Sequence, residues 1–253
     1  MIVRLLTGPL NDHLTAEHGE LSTNDLLALY PVDDRLPIVR ANMVVSLDGR
    51  ATDAEGLSAG ISSESDRFVF SLLRSQSDAI IVGAGTARAE GYRPAKVREE
   101  FAGSREARGR VDPPVIAVVS RTLHFDADDP LYRRGRALFI TSEGADDAAV
   151  ARAEASVEVI RTPGADVDLT AAAAALRQRG LQHLLIEGGP HLFTDALAQD
   201  VIDELCLTIA PVIASGPGPR LLADHDAIAA RFALQHIVES EGFLMTRYRR
   251  DRA

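Results

Sequence analysis

Two stretches of this chain follow one plan: an apolar run of strand length, a glycine turn, then a helix start. They are Ile80-Ile-Val-Gly-Ala-Gly-Thr86 and Leu184-Leu-Ile-Glu-Gly-Gly-Pro190. A strand with no polar alternation must be covered on both faces, and the usual way to do so is a parallel sheet whose crossover helices pack on either side. Strand-like and helical segments alternate around these two stretches up to about residue 200, after which strands dominate. The pattern predicts an α/β sandwich with a mostly parallel central sheet closed by an antiparallel C-terminal edge.

The remaining segments are placed by their own signals. Residues 1–37 read as an N-terminal extension packed on a domain of residues 38–253, with one short helix over Thr23–Leu29 capped by Ser22 or Thr23. Ile38–Val45 is a strand that ends in the turn Ser46-Leu-Asp-Gly49. Ser62 or Ser63 caps a helix through Ser75, with Phe68, Leu72 and Leu73 on one face. A short helix runs to Glu90, and the polar, proline-bounded residues 93–113 read as a surface loop. Strands are expected at Val115–Val119, Ala137–Thr141, Val157–Arg161 and Leu184–Glu187. Helices are expected after Asp168 and from Pro190 to Ala198. Leu205–Ala214, Ala233–Glu239 and Phe243–Arg249 complete the strand list.

Charge and composition exclude several classes. A net charge of −10 over 253 residues repels the phosphates of nucleic acid and of anionic membranes, so neither is an expected partner. The longest apolar run, Leu207 to Ala214, is broken by Thr208 and Pro211 and is far short of the ~20 residues of a membrane span. The single cysteine, Cys206, has no internal partner and suits a reducing compartment, so the expected location is the cytoplasm. The seven histidines never fall at zinc-ligand spacing, and no metal site is expected. The apolarity of Leu205–Ala214 is too high for an exposed edge and predicts a two-fold interface, hence a homodimer.

The glycine turns carry the chemistry. Glycine lets backbone approach a ligand, and the helix N-terminus behind it offers unpaired N–H groups and partial positive charge to a phosphate. Gly83, Gly85 and Thr86 form one such turn. Gly188, Gly189, Pro190, His191 and Leu192 form the other. Either alone also serves as a plain strand–helix connection, whereas two on one sheet suit a diphosphate such as that of a dinucleotide. The G-x-G-x-x-G fingerprint is absent, since Arg88 stands where its third glycine belongs, which argues against a Rossmann domain. Ser120-Arg121 closes a strand with a hydroxyl and a guanidinium, a receptor for a 2′-phosphate or simply a solvated strand end. Four carboxylates are candidates near such a cofactor. Glu187, on an apolar strand before its glycines, is either a proton donor or a hydrogen-bond anchor. Glu90 follows the first turn, Asp66 opens a helix, and Asp48 is as well explained by its turn. Tyr92 and Lys96 match a Tyr-x-x-x-Lys spacing, but Pro94 breaks the helix that pair needs.

Four ordered blocks of these residues resemble a known family. They are Ala41-Asn-Met-Val-Val-Ser-Leu-Asp-Gly-Arg50, Leu72 through Arg88, Ile186-Glu-Gly-Gly-Pro-His-Leu192, and Val201 through Val212. Together they are similar to the reductase domain of RibD and its stand-alone pyrimidine-reductase relatives of riboflavin biosynthesis, over residues 38–250. The resemblance implies a dihydrofolate-reductase-like fold, a three-layer α/β sandwich, with NADPH as cofactor, a dimeric assembly and a phosphoribosylaminopyrimidine as small-molecule substrate. It implies that Thr86 and Gly189 through Thr194 line the nicotinamide and diphosphate, that Ser58 lies near the cofactor, and that Ser120 and Arg121 sit at the 2′-phosphate. Asn42, Glu90 and Glu187 fall at substrate and proton-handling positions, with Arg74 and Ser46 on the substrate. The chain departs from the family in Glu90-Gly-Tyr-Arg-Pro94, where an Asp-Asp/Asn-Pro-x-Leu-Thr-x-Arg pattern is usual, and in Gly60, where bifunctional members carry tryptophan. Asp66-Arg-Phe-Val-Phe70 also resembles the acidic pterin-binding helix of dihydrofolate reductases. A dihydrofolate or pterin reductase, and a non-catalytic NADP-binding module, therefore stay open as alternatives.

Overall fold

A computed structural model describes residues 3–7, 20–133 and 136–252. In chain order its elements are β1 (Arg4–Thr7), α1 (Thr23–Leu29), β2 (Ile38–Ser46), α2 (Glu64–Gln76), β3 (Ala79–Gly83), α3 (Ala84–Ala89), α4 (Glu99–Ala107) and β4 (Val115–Val119). There follow α5 (Pro130–Arg133), β5 (Ala137–Ser142), α6 (Asp147–Glu154), β6 (Glu158–Thr162), α7 (Leu169–Gln178), β7 (His183–Ile186), α8 (Pro190–Ala198), β8 (Glu204–Ala210), β9 (Arg231–Ser240) and β10 (Phe243–Asp251).

The ten strands of the described residues form one sheet, ordered β1-β9-β10-β8-β2-β7-β3-β4-β5-β6. From β8 to β6 every neighbouring pair is parallel, while β8, β10, β9 and β1 pair antiparallel. The sheet thus has the parallel body and antiparallel edge that the sequence predicts. Alternate residues of the parallel strands face opposite layers. Ile80, Val82, Ile116, Val118 and Leu185 pack with Leu72, Leu73 and Phe101 from α2 and α4. Val39, Ala41, Ile81, Leu184 and Ile186 pack with Leu176, Phe193 and Ala196 from α7 and α8. Leu72, Leu73, Ile80 and Leu185 are fully buried, which is what a strand and helix of nearly continuous apolar sequence require.

Three segments differ from the sequence expectation. Residues 93–113 are not a loop throughout: α4 forms there because Phe101 is fully buried and the almost buried Arg105 donates to the carbonyls of Ser75 (2.8 Å), Ser77 (2.7 Å) and Asp112 (2.9 Å). The strand expected over Leu205–Ala214 stops at Ala210, since Pro211 has no N–H to give to a ladder. The N-terminal segment supplies not only α1, with a Ser22–Asp25 capping box, but also the sheet strand β1, and Val3, Leu26, Leu29 and Tyr30 join the core.

Candidate active site

The C-terminal ends of the parallel strands gather on one edge of the sheet, and both glycine turns lie there. β7 sits between β2 and β3, although it comes far later in the chain, so the loops leaving β3 and β7 are neighbours. Gly83 N–H donates to the Gly188 carbonyl (2.8 Å), and Glu187 N–H donates to the Ile81 carbonyl (3.0 Å). A side chain built on Gly189 would stand 2.5 Å from the Thr86 hydroxyl, and one on Gly188, whose φ is +82°, would stand 3.0 Å from the Met43 sulfur. The Gly188–Gly189 peptide is cis. The two turns therefore form a single cradle in which Gly188 and Gly189 leave no room for side chains. Neither Gly83 nor Gly189 supplies a side-chain cap to the helix that it opens, which leaves first-turn N–H groups of α3 and α8 facing out; Pro190, with none to offer, fills the first position of α8. Gly85, His191 and Leu192 follow within those first turns.

Glu187 emerges from β7 into an ion pair. Arg74, in the last turn of α2, donates from Nε to Oε1 (2.7 Å) and from Nη2 to Oε2 (2.6 Å), and the Tyr92 hydroxyl donates to Oε2 (2.5 Å). The Glu187 side chain is 1% exposed and that of Arg74 is 23% exposed. The Arg74 guanidinium lies 4.2 Å from the Phe70 ring centroid and 5.2 Å from that of Tyr92. Burial works against the Arg74 charge, but Glu187 more than offsets it, so its pKa is raised. Burial and then the Glu187 charge push the Tyr92 phenol well above its usual range. A carboxylate fixed by three donors acts as an anchor, and an arginine held in a bidentate pair between two rings has little freedom to follow a ligand.

On the other flank, Asp66 opens α2 below Ser63, whose hydroxyl accepts from the Asp66 N–H (3.1 Å). Its Oδ2 accepts from Ser62 Oγ (2.6 Å) and its Oδ1 from Thr208 Oγ1 (2.7 Å) across the sheet. Burial raises the Asp66 pKa, against the opposing pull of those two hydroxyls. Thr208 is in register with Val44, and Cys206 with Asn42. Val44 and Asn42 are half buried on the sheet face that also carries Thr208.

The other candidates lie as follows. Glu90 ends α3 and accepts from the Ser58 N–H (2.8 Å), tying the loop after β2 to the first glycine turn. Ser46, buried at the end of β2, donates to Asp48 (2.6 Å) and accepts from the Arg50 N–H (2.9 Å), so its hydroxyl is used within the turn. The Ser120 hydroxyl accepts from the Leu123 N–H (2.9 Å), while Arg121 is exposed with Asp166 at 3.8 Å. The sequence offers Tyr92 only as a chance spacing with Lys96, Ser62 only as a helix cap, Phe70 only as the end of an acidic helix start and Thr208 only as a break in an apolar run; their places beside Glu187, Asp66 and Arg74 come from the fold. Among the described residues no cluster of three or more His, Cys, Asp or Glu suits a metal ion, and no helix is long and apolar enough to cross a membrane.

This geometry coincides with similarity to known proteins. The model of the RibD C-terminal domain matches residues 37–242. The chain belongs to that family. It is 28% identical over 216 residues to the 2,5-diamino-6-ribosylamino-4(3H)-pyrimidinone 5′-phosphate reductase of Archaeoglobus fulgidus, a match covering 83% of this chain and 97% of that protein. The reductase of the same name from Methanothermobacter thermautotrophicus is 33% identical over 196 residues, covering 76% of this chain and 86% of its own length. A crystal structure of a pyrimidine reductase-like protein from Corynebacterium diphtheriae superposes with a TM-score of 0.81 at 30% identity, covering 90% of this chain and 99% of that one. The RibD C-terminal domain member described here is thus an oxidoreductase with the dihydrofolate-reductase-like three-layer sandwich.

Proposed function

We propose that the chain reduces a ribosylaminopyrimidine 5′-phosphate of riboflavin biosynthesis, using NADPH bound across the two glycine turns. The observation that carries this reading is the Gly83–Gly188 hydrogen bond, which joins the two glycine turns into one cradle where Gly188 and Gly189 admit no side chain. The names of the two archaeal reductases support this substrate over dihydrofolate and over a module without catalysis.

The cradle suits the cofactor's diphosphate, because the start of α8 has no side-chain cap and the Thr86 hydroxyl stands beside Gly189. Gly83, Gly85, Thr86, Gly188, Gly189, His191 and Leu192 would hold that part, Ser58 would meet the nicotinamide end, and Ser120 with Arg121, whose contact with Asp166 is loose, would take the 2′-phosphate. When bound, NADPH supplies a hydride, which the ribose C1′ accepts as its ring opens. The protein orients the two reactants, which accounts for much of the rate. Asn42 and Asp66 hold the pyrimidine. Glu187 keeps Arg74 and Tyr92 in place at the floor, and Arg74 offers its remaining N–H groups toward the substrate phosphate. Glu90 and Ser46 hold the loop after β2 over the reacting atoms, and the proton for the opened ring oxygen comes from Glu90 or from water beside it.

The enzyme acts in the cytoplasm as a homodimer with no nucleic-acid partner, and residues 1–37 serve as an extension of the reductase domain formed by residues 38–253. The test is loss of nicotinamide absorbance when the purified protein, NADPH and the ribosylaminopyrimidine phosphate are mixed. Arg121→Ala should weaken NADPH by roughly tenfold, the worth of one charge-assisted contact, and NADH hardly at all. Tight NADPH binding without turnover of the pyrimidine would favour the non-catalytic alternative.

A further inference from the structure

Tyr92 is fixed by its backbone before its hydroxyl is used. Its N–H donates to the Ala87 carbonyl (2.9 Å), just after Gly91, whose φ is +61°. Its ring packs against the core layer that α2 and α4 share with the sheet. From there the hydroxyl donates to Glu187 Oε2 (2.5 Å), the oxygen that also accepts from Arg74 Nη2 (2.6 Å). The residue belongs to Glu90-Gly-Tyr-Arg-Pro94, the stretch in which this chain leaves its family's usual pattern.

Glu187 takes the edge of the Arg74 guanidinium formed by Nε and Nη2, which leaves the outer edge, Nη1 with the second Nη2 hydrogen, as a further pair of donors. Arg74 keeps some exposure whereas Glu187 is buried, so a ligand reaches the arginine and not the carboxylate. An anion on that outer edge competes with Glu187 for one cation, and a buried carboxylate has no water to turn to. The Tyr92 hydroxyl is the donor that stays with it. Burial and then the Glu187 charge keep that phenol protonated, with its pKa well above the usual range.

We propose that Tyr92 is a positioning residue that sets the preference for a 5′-phosphate: by holding the Glu187 carboxylate, its hydroxyl lets Arg74 share its charge with the phosphate. This rests on the placement of Arg74 at the substrate phosphate. Without the hydroxyl, Glu187 depends on Arg74 alone, and a phosphate that draws on the guanidinium leaves a buried acceptor short of a partner. A nucleoside without the phosphate makes no such demand.

The experiment compares kcat/KM, with NADPH, for 2,5-diamino-6-ribosylamino-4(3H)-pyrimidinone 5′-phosphate and for the same nucleoside without its phosphate. The proteins are the wild type, Tyr92→Phe, Arg74→Gln, Glu187→Gln and the double variant Tyr92→Phe/Glu187→Gln. The wild type should prefer the phosphate by roughly 100-fold, the worth of a bidentate charge-assisted contact, and Arg74→Gln should erase that preference. Tyr92→Phe, which keeps the ring, should reduce the preference roughly tenfold, through the KM of the phosphate rather than through kcat. On the Glu187→Gln background the same change should alter the preference by less than about twofold, because the hydroxyl acts only through the carboxylate. Equal loss on both substrates in Tyr92→Phe, the mark of a purely structural role, or a full tenfold effect on the Glu187→Gln background overturns the proposal. If Arg74→Gln keeps the wild-type preference, the placement of Arg74 falls and the proposal with it. If Arg74→Gln erases the preference and Tyr92→Phe leaves it intact, the proposal alone falls. Should the Arg74 or Glu187 variants not fold, the comparison of the two substrates in Tyr92→Phe decides by itself. Turnover of neither substrate by protein that binds NADPH overturns the proposed function, and this inference with it.

Discussion

Gly189 has backbone angles that any residue adopts, with φ at −71°, so what forbids a side chain there is the Thr86 hydroxyl 2.5 Å from where it would stand. Thr86 is branched at Cβ and cannot swing away without leaving its rotamer. Gly189→Ala should therefore cost about 1–3 kcal/mol of overpacking and lower kcat/KM for NADPH by at least tenfold, measured by thermal melting and initial rates. Removing the obstacle in Thr86→Ala/Gly189→Ala should return much of the melting temperature but not the NADPH affinity, since the hydroxyl is then gone. Glu187 is a second test at this scale. Glu187→Gln leaves Arg74 without its charge partner, and because Arg74 retains some solvent access the cost should be about 2 kcal/mol rather than the larger loss of a fully buried pair. Urea unfolding of the variant beside Tyr92→Phe, which removes only one hydrogen bond and should cost about 1 kcal/mol, checks the ranking. The glycines of the cradle were legible in the sequence because their spacing from an apolar strand is local. The partners of Glu187 were not, since Arg74 and Tyr92 lie 113 and 95 residues away and meet it only through the order of the strands.

Among the elements, the junction of the parallel and antiparallel strands is held by charge. Glu204 on β8 receives Arg247 from β10 and Arg40 from β2 (Arg40 at 2.9 Å), and both arginines also reach the end of α1, at the carbonyls of Leu29 and Pro31, with Gln76 on that of Tyr30. Burial opposes the Glu204 charge, but Arg247 and Arg40 hold its carboxyl below the usual range. Leu29 and the C-cap Tyr30 belong to the end of α1, whose last carbonyls lack an intrahelical partner, and Pro31 follows it, so the arginines and Gln76 hold the C-terminal end of α1 and the chain leaving it. His236 on β9 lies in the same cluster, edge-on to the Tyr30 ring at 4.7 Å, and burial followed by the nearby Arg247 charge lowers its pKa to about 4. In the unfolded chain it takes up a proton near pH 6.5. The unfolded state therefore binds more protons between those values, and the stability present above about pH 6.5 is lost as the pH falls toward 4, by as much as about 3 kcal/mol. His236→Phe keeps the ring contact and should flatten this part of the stability–pH curve, measured by urea unfolding at steps across that range. Such clusters are hidden in a sequence because their members are ordinary surface residue types. The same holds for α4, whose attachment depends on the buried Arg105 more than on any apolar stripe, whereas β3, β4 and β7 announce themselves by apolar residues alone.

Across the whole molecule, helices cover both faces of the parallel strands but only one face of β8, β10 and β9. On the uncovered side the rows Leu205–Tyr248–Leu234, Leu207–Thr246–Ile237 and Ile209–Leu244–Glu239 line up across β8, β10 and β9, and all but the buried Thr246 are half buried or exposed. The two edges of the sheet are protected differently: β6 carries Glu158 and Arg161, each in an ion pair, which discourages further strand pairing. A face of three strands with one carboxylate, Glu239, among mainly apolar residues is the surface that a second copy would cover, face on face about a two-fold axis, in a chain of net charge −10. Leu207, near the middle of β8, would lie close to that axis and oppose its own counterpart or a near neighbour. Leu207→Arg would then bring two guanidinium groups together in a desolvated centre, and the expected result is a monomer in analytical ultracentrifugation, with the wild type a dimer. The substitution projects away from the layer holding Thr208 and Asp66, so the isolated subunit should retain NADPH binding while its melting temperature falls with the loss of subunit burial. A dimeric variant, or a wild type that sediments as a monomer at all concentrations, would leave the face without its partner.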